Sequence, residues 1–231
     1  MPPRFRPPLP VADLAGPGPA RDFVGYGRHP PKVRWPGGAS VAVNVVVAYE
    51  EGSELSMVEG DGRNEGWGEY AIEVPPPVRD LGTESHFEYG SRAGIWRLAR
   101  IIDAAGAPVT VSATAVALAR NPQVAAWILG QGHDVLGHGD YLVSPGFSSP
   151  RDFVECVAMA LRSLVDDGAA DGAGRLMTVA FHARWSGQPA RAEALRQILA
   201  LVQAEPEAVL MRRDDLAAWW LDHAPGPDGT G

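Results

Sequence analysis

The sequence predicts an α/β fold, a parallel sheet or barrel of about five strand–helix units with the helices outside. Short β-branched runs alternate along the chain with longer segments of helical period. The first run, Val41–Ala48, is apolar except for Asn44 and lies between Pro36-Gly37-Gly38 and Gly52. It reads as a strand buried on both faces. The 231 residues are enough for one sizeable core. A closed eight-unit barrel typically needs about 250 residues, so the expected structure is open or completed by oligomerisation.

Residues 1–38 are proline-rich and lack apolar periodicity, which predicts an extended arm before a domain spanning 39–224. Ser53–Gly82 is polar, with many glycines and acids, and predicts a lid-like loop packed down by Trp67, Tyr70 and Ile72. Gly94–Ala105 predicts a helix with Ile95, Leu98 and Ile102 on one face, stopped at Gly106-Ala107-Pro108. Val109–Ser112 follows as a strand. Ala113–Ala119 and Pro122–Leu129 read as two helices split at Asn121-Pro122. His133–Gly139 predicts the next strand. Ser149 is placed to cap a helix with Pro150 in its first turn and a stripe of Val154, Val157, Ala158, Leu161, Leu164 and Val165.

The run DDGAADGAG (166–174) predicts a flexible linker to the strand Leu176–His182. A helix over Pro189–Gln203, a strand at Val209–Met211 and a helix over Asp214–Leu221 complete the order. Pro225–Gly231 reads as a disordered tail.

The net charge of -8 excludes nucleic acid and anionic membranes as expected partners, since both require basic patches. Cys156 is the only cysteine, which excludes an intramolecular disulfide and a thiolate zinc site and predicts a buried thiol. No apolar run is long enough to cross a bilayer, and Met1–Pro10 lacks the apolar core of a signal peptide. A cytoplasmic protein is the expectation.

Chemistry-bearing residues gather at predicted strand ends. Glu50 and Glu51 follow the first strand, while His138 and His182 end later ones. In a parallel sheet all four reach one rim, where carboxylates and imidazoles serve as general acids and bases or as metal ligands. Arg92, with Ser91 as a cap for the following helix, is a candidate substrate contact. Arg184, two residues after His182 and expected on the same side of its strand, is another, joined by Tyr89 and Trp185. Asn44 needs a buried hydrogen-bond partner. His29, His86 and His223 receive no role.

Four segments, WPGGASVAVNVVVAYEEGSE, ESHFEYGSRAGIWRLARIIDAAGAPVTVSATAVALARNP, GHDVLGHG and FHARWSGQPARAEAL, occur in order over most of residues 21–222. Together they closely resemble the polysaccharide deacetylase (NodB-homology) superfamily, and within it the allantoinase-like (PuuE-type) branch, whose members open cyclic ureides or imides. The resemblance implies a truncated, distorted (β/α) barrel of the NodB-homology type. It places Glu50 and Glu51 at the superfamily's aspartate pair, one the catalytic base and the other a metal ligand. His138 matches the first histidine of the metal motif, Leu142 replaces the second, and His182 matches a general-acid histidine.

With that ligand missing, Glu51 and His138 form a degenerate site, and no tightly bound metal or other cofactor is expected, a weak divalent ion at most. Between the His138 strand and the Ser149 helix the chain is also shorter than the family pattern by roughly two barrel units, which predicts a homo-oligomer. The implied function is hydrolysis of a non-peptide C–N bond in a small cyclic amide, ureide or imide, within carbohydrate or ureide metabolism. The alternatives are a metal-independent cyclase, isomerase or lyase on the same scaffold, and a non-catalytic partner subunit.

Overall fold

Val41–Tyr49 forms strand β1, and all nine of its residues are buried. The structure is a computed structural model that describes residues 23, 25, 26, 28, 30–66, 74–137 and 149–224. The chain divides into Met1–Pro30 and Pro31–Gly231, and every element named here lies in the second unit. The remaining strands are β2 (Thr110–Ala113), β3 (Asp134–Gly137), β4 (Arg175–His182) and β5 (Ala208–Leu210). All pairings are parallel. Strand β4 runs beside Val41–Ala48 of β1, β5 beside Val41–Val43 and β2 beside Val46–Tyr49, with β3 outside β2. Among the described residues β3 and β4 stand at opposite ends of this order, so the sheet does not close.

The helices are α1 (Leu81–Tyr89), α2 (Ile95–Ala105), α3 (Ala115–Arg120), α4 (Pro122–Gln131), α5 (Pro150–Asp171), α6 (Ala183–Ser186), α7 (Pro189–Ala204) and α8 (Arg213–His223). Val41, Val43, Val45 and Val47 pack in one core with Leu98 and Ile102 of α2, Leu161 of α5 and Leu195 and Ile198 of α7. Burying each such side chain contributes roughly 1.5–3 kcal/mol. Ala42 packs on the second cluster, with Trp35, Met211 and Leu216. Helices on both sides therefore explain why β1 carries an unbroken apolar run rather than an alternating one. The Asn44 amide nitrogen, inside this apolar strand, donates to Thr110 Oγ1 at 3.0 Å and to the Met211 carbonyl at 2.9 Å.

Several expectations need correction. The 166–174 run is not a linker, because α5 continues through it to Asp171 and stops at Gly172, whose φ is 75°. Gly168 lies inside the helix because a Cβ there would be 2.9 Å from the Ser40 Cβ, so the glycine permits close helix–strand approach. Cys156 is exposed. It sits one residue off the buried stripe of Val157 and Leu161.

Leu81 and Gly82 open α1 instead of closing a loop, with Asp80 Oδ1 accepting from the Thr83 N–H at 3.0 Å. Nor does Ser91 start a helix: α1 passes through a wide π-type turn at Gly90–Gly94 directly into α2. Trp67, Tyr70 and Ile72 lie outside the described residues, as do most of the arm and the tail. No described helix is long and apolar enough to cross a membrane.

Candidate active site

Parallel pairing brings two strand ends together. Ala48 is in register with His182, so Glu50 emerges one step past the last residue of β1 beside the last residue of β4. Glu50 Oε1 lies 3.3 Å from His182 Nδ1 and 2.5 Å from Arg184 Nη2. Glu50 and Arg184 are buried, at 6 % and 4 % exposure, whereas the His182 side chain keeps 35 % of its surface. The strand ends at His182, so Arg184 belongs to α6 and not to β4, and its side chain turns inward. His138 and Leu142 lie outside the described residues.

Glu51 is enclosed more tightly. It is 1 % exposed, its Oε2 accepts from the Glu50 N–H at 3.0 Å, and its Oε1 accepts from the Arg184 N–H at 3.0 Å. Burial pushes its carboxyl from an ordinary 4.5 up to about 7, although Arg184 pulls the other way. A carboxyl raised in the folded state stabilises the fold while neutral. Its contribution is fully present below about pH 4.5 and is lost as the pH rises through about 7, on the order of 3 kcal/mol in all. Denaturation midpoints of the intact chain should therefore fall between pH 5 and 8, with a flatter profile in Glu51→Gln. Equal pH slopes in the two proteins would contradict this.

The EYGSRAG segment supplies the surface behind the site. A Cβ on Gly90 would stand 2.6 Å from Glu51 Oε1 and 2.9 Å from the Arg184 Cα. Tyr89 donates its hydroxyl to the Gly187 carbonyl at 3.1 Å and accepts from Arg97 Nη1 at 2.6 Å, so it fixes the end of α6. Arg92 pairs with Glu88 at 2.8 Å, both exposed. Trp185 packs against the edge-on ring of His86, 4.3 Å between centroids. His86, given no role from sequence, donates from Nε2 to the Arg184 carbonyl at 3.1 Å. Its only sequence signal was its place in ESHFEYG, four residues before Gly90.

A cavity of about 260 Å³ borders Glu51 and is walled by Glu54, Ser56, Arg79, Arg92 and Arg120, without Glu50 or His182. A larger hollow of about 570 Å³ lies between α2 and α7, away from this constellation.

The superfamily that the sequence resembles uses one carboxylate of its acidic pair as a metal ligand, and the described residues do not fit such an ion. Both Glu51 oxygens already accept N–H donors, and Arg184 Nη1 stands 3.7 Å from Oε1. Among the described residues no three His, Cys, Asp or Glu side chains are grouped so as to hold a metal ion.

Comparison with known proteins agrees with the fold. No protein-family model matches the chain. A Schizosaccharomyces pombe protein named "Putative polysaccharide deacetylase" is 30% identical over 162 residues, 67% of this chain and 50% of that protein, so the chain spans about half the length of this curated relative. A crystal structure titled "probable Polysaccharide deacetylase" from Pseudomonas aeruginosa PAO1 is 25% identical with a TM-score of 0.78, covering 87% of this chain and 98% of that one. The crystal structure of PuuE allantoinase shares the fold, with a TM-score of 0.79 at 24% identity over 89% of this chain and 98% of that one.

Proposed function

We propose that this chain, a relative of the polysaccharide deacetylases by sequence and by fold, hydrolyses a C–N bond in a small cyclic amide, ureide or imide. The reading is carried by the 3.3 Å approach of Glu50 Oε1 to His182 Nδ1 at two adjoining strand ends. A carboxylate this close to Nδ1 favours the imidazole tautomer protonated on that side and leaves Nε2 as the basic nitrogen. Nε2 takes a proton from water as the water oxygen adds to the ring carbonyl. The C–N bond then breaks, and the same proton passes to the departing nitrogen.

In this mechanism Glu50 orients and stabilises the imidazolium, and His182 performs the transfer. Glu51, enclosed on both oxygens, is a structural acid here and does not act as the base. Tyr89 and Arg184 act on the protein itself, since Tyr89 holds α6 and Arg184 is buried against the carboxylates. Arg92 and Trp185 retain exposed surface to meet a substrate. The direct trial is ring opening of hydantoin, succinimide and allantoin by chelator-treated protein, with and without added divalent metal. Turnover of at least one ring without metal is expected, and inertness toward every cyclic amide tried would defeat the proposal.

A further inference from the structure

Two carboxylates stand side by side at the end of β1, and both are almost wholly buried. Acidic groups enclosed in this way need an opposite charge in contact, because an uncompensated buried carboxylate is strongly unfavourable. We propose that the Arg184 guanidinium is the built-in counter-cation of the Glu50–Glu51 pair, holding the charge position that a divalent metal would otherwise take and keeping the site metal-free.

The geometry holds Arg184 there from several sides. Its Nη2 meets Glu50 Oε1 at 2.5 Å, its Nη1 lies 3.7 Å from Glu51 Oε1, and its own N–H donates to that same oxygen. The guanidinium sits over the Phe87 ring, 4.2 Å from Cζ to the centroid. His86 engages its carbonyl, and the missing Cβ of Gly90 lets the π-type turn close over its Cα. A side chain so enclosed does not swing out to admit another cation.

Guanidinium also remains charged at any pH the fold tolerates, so the compensation is permanent. A metal ion approaching either carboxylate would meet that charge at close range, where repulsion in a partly dry site weakens binding by orders of magnitude. The inference rests on contacts around the carboxylates and is independent of which bond the site breaks.

The test is calorimetric titration of chelator-treated protein with Zn²⁺, comparing the intact chain, Arg184→Lys and Arg184→Gln. The intact chain and the lysine variant, both with a cation, should show no saturable site. Arg184→Gln should gain one site that binds at least about a hundredfold tighter and is lost again on adding Glu50→Gln. If Arg184→Gln folds only when Zn²⁺ is present, the proposal is equally supported. Stoichiometric zinc uptake by the intact chain would overturn it. So would a folded Arg184→Gln that takes up no zinc, a Lys variant that binds as the Gln variant does, or a Gln variant that zinc fails to refold.

Discussion

His182→Ala should lower kcat for ring opening by about 10²–10⁴-fold while leaving the fold intact. His182 keeps a third of its side-chain surface exposed, so its removal leaves no large cavity in the core. What is lost is the nitrogen that receives the proton of the attacking water. Glu50→Gln should fall within the same range, since an amide facing Nδ1 no longer favours the tautomer with a basic Nε2. The double variant should be little worse than either single one, because the two groups act as a unit. Glu50→Gln also removes the 2.5 Å partner of Arg184, so its stability should drop as well, and His182→Ala is the cleaner kinetic test. A His182→Ala enzyme within tenfold of the intact chain would remove His182 from the mechanism.

Gly94→Ala is the substitution expected to damage the fold most. A Cβ at Gly94 would stand 2.2 Å from the carbonyl oxygen of Ala183 and 3.1 Å from its carbonyl carbon. Neither neighbour is a flexible side chain that can rotate away. Ala183 is wedged between His182 and Arg184, so any backbone shift that relieves the clash also displaces the site. The cost should be about 3 kcal/mol or more, a fall in Tm of roughly 6–12 °C for a chain of this size. Activity should be lost together with stability. Gly130 is the internal control: it too lies in a helix, α4, but a Cβ there meets nothing within 4 Å. Gly130→Ala should leave Tm unchanged or raise it slightly, because alanine favours helix by up to about 1 kcal/mol over glycine. Thermal denaturation of the two variants side by side decides the matter; equal midpoints would mean that the approach of the π-type turn to α6 is not tight.

The same glycines explain which parts of the structure were legible in the sequence. β1, β4, α2, α5 and α7 could be read because burial imposes a period on Val, Ile and Leu that survives translation into a one-dimensional pattern. The convergence of Glu50 and His182 was legible too, since parallel strands bring their C-terminal ends to one rim. The run from α1 through the π-type turn into α2 was not. Gly82, Gly90 and Gly94 look like helix breakers, yet Gly90 and Gly94 are present because Glu51, Arg184 and Ala183 press against them. Gly168 misled in the same way at α5, where Ser40 is the neighbour.

Arg184 was identified as functional but assigned to the wrong surroundings. Nothing local in HARWSG marks where β4 ends and α6 begins, and that boundary turns the guanidinium inward onto the carboxylates. The enclosure of Glu51 likewise depends on a helix more than thirty residues further along the chain, a contact that no spacing within YEEG encodes.

The most direct measurement of the central claim, that Glu50 and His182 drive hydrolysis of a ring C–N bond, is turnover in ¹⁸O-labelled water. Any cyclic amide that the chain consumes should yield an opened product with one labelled oxygen in its new carboxylate, and His182→Ala should suppress label and turnover together. Consumption of the ring without label in the product would show that the site performs an isomerisation or elimination, and would contradict the hydrolytic account.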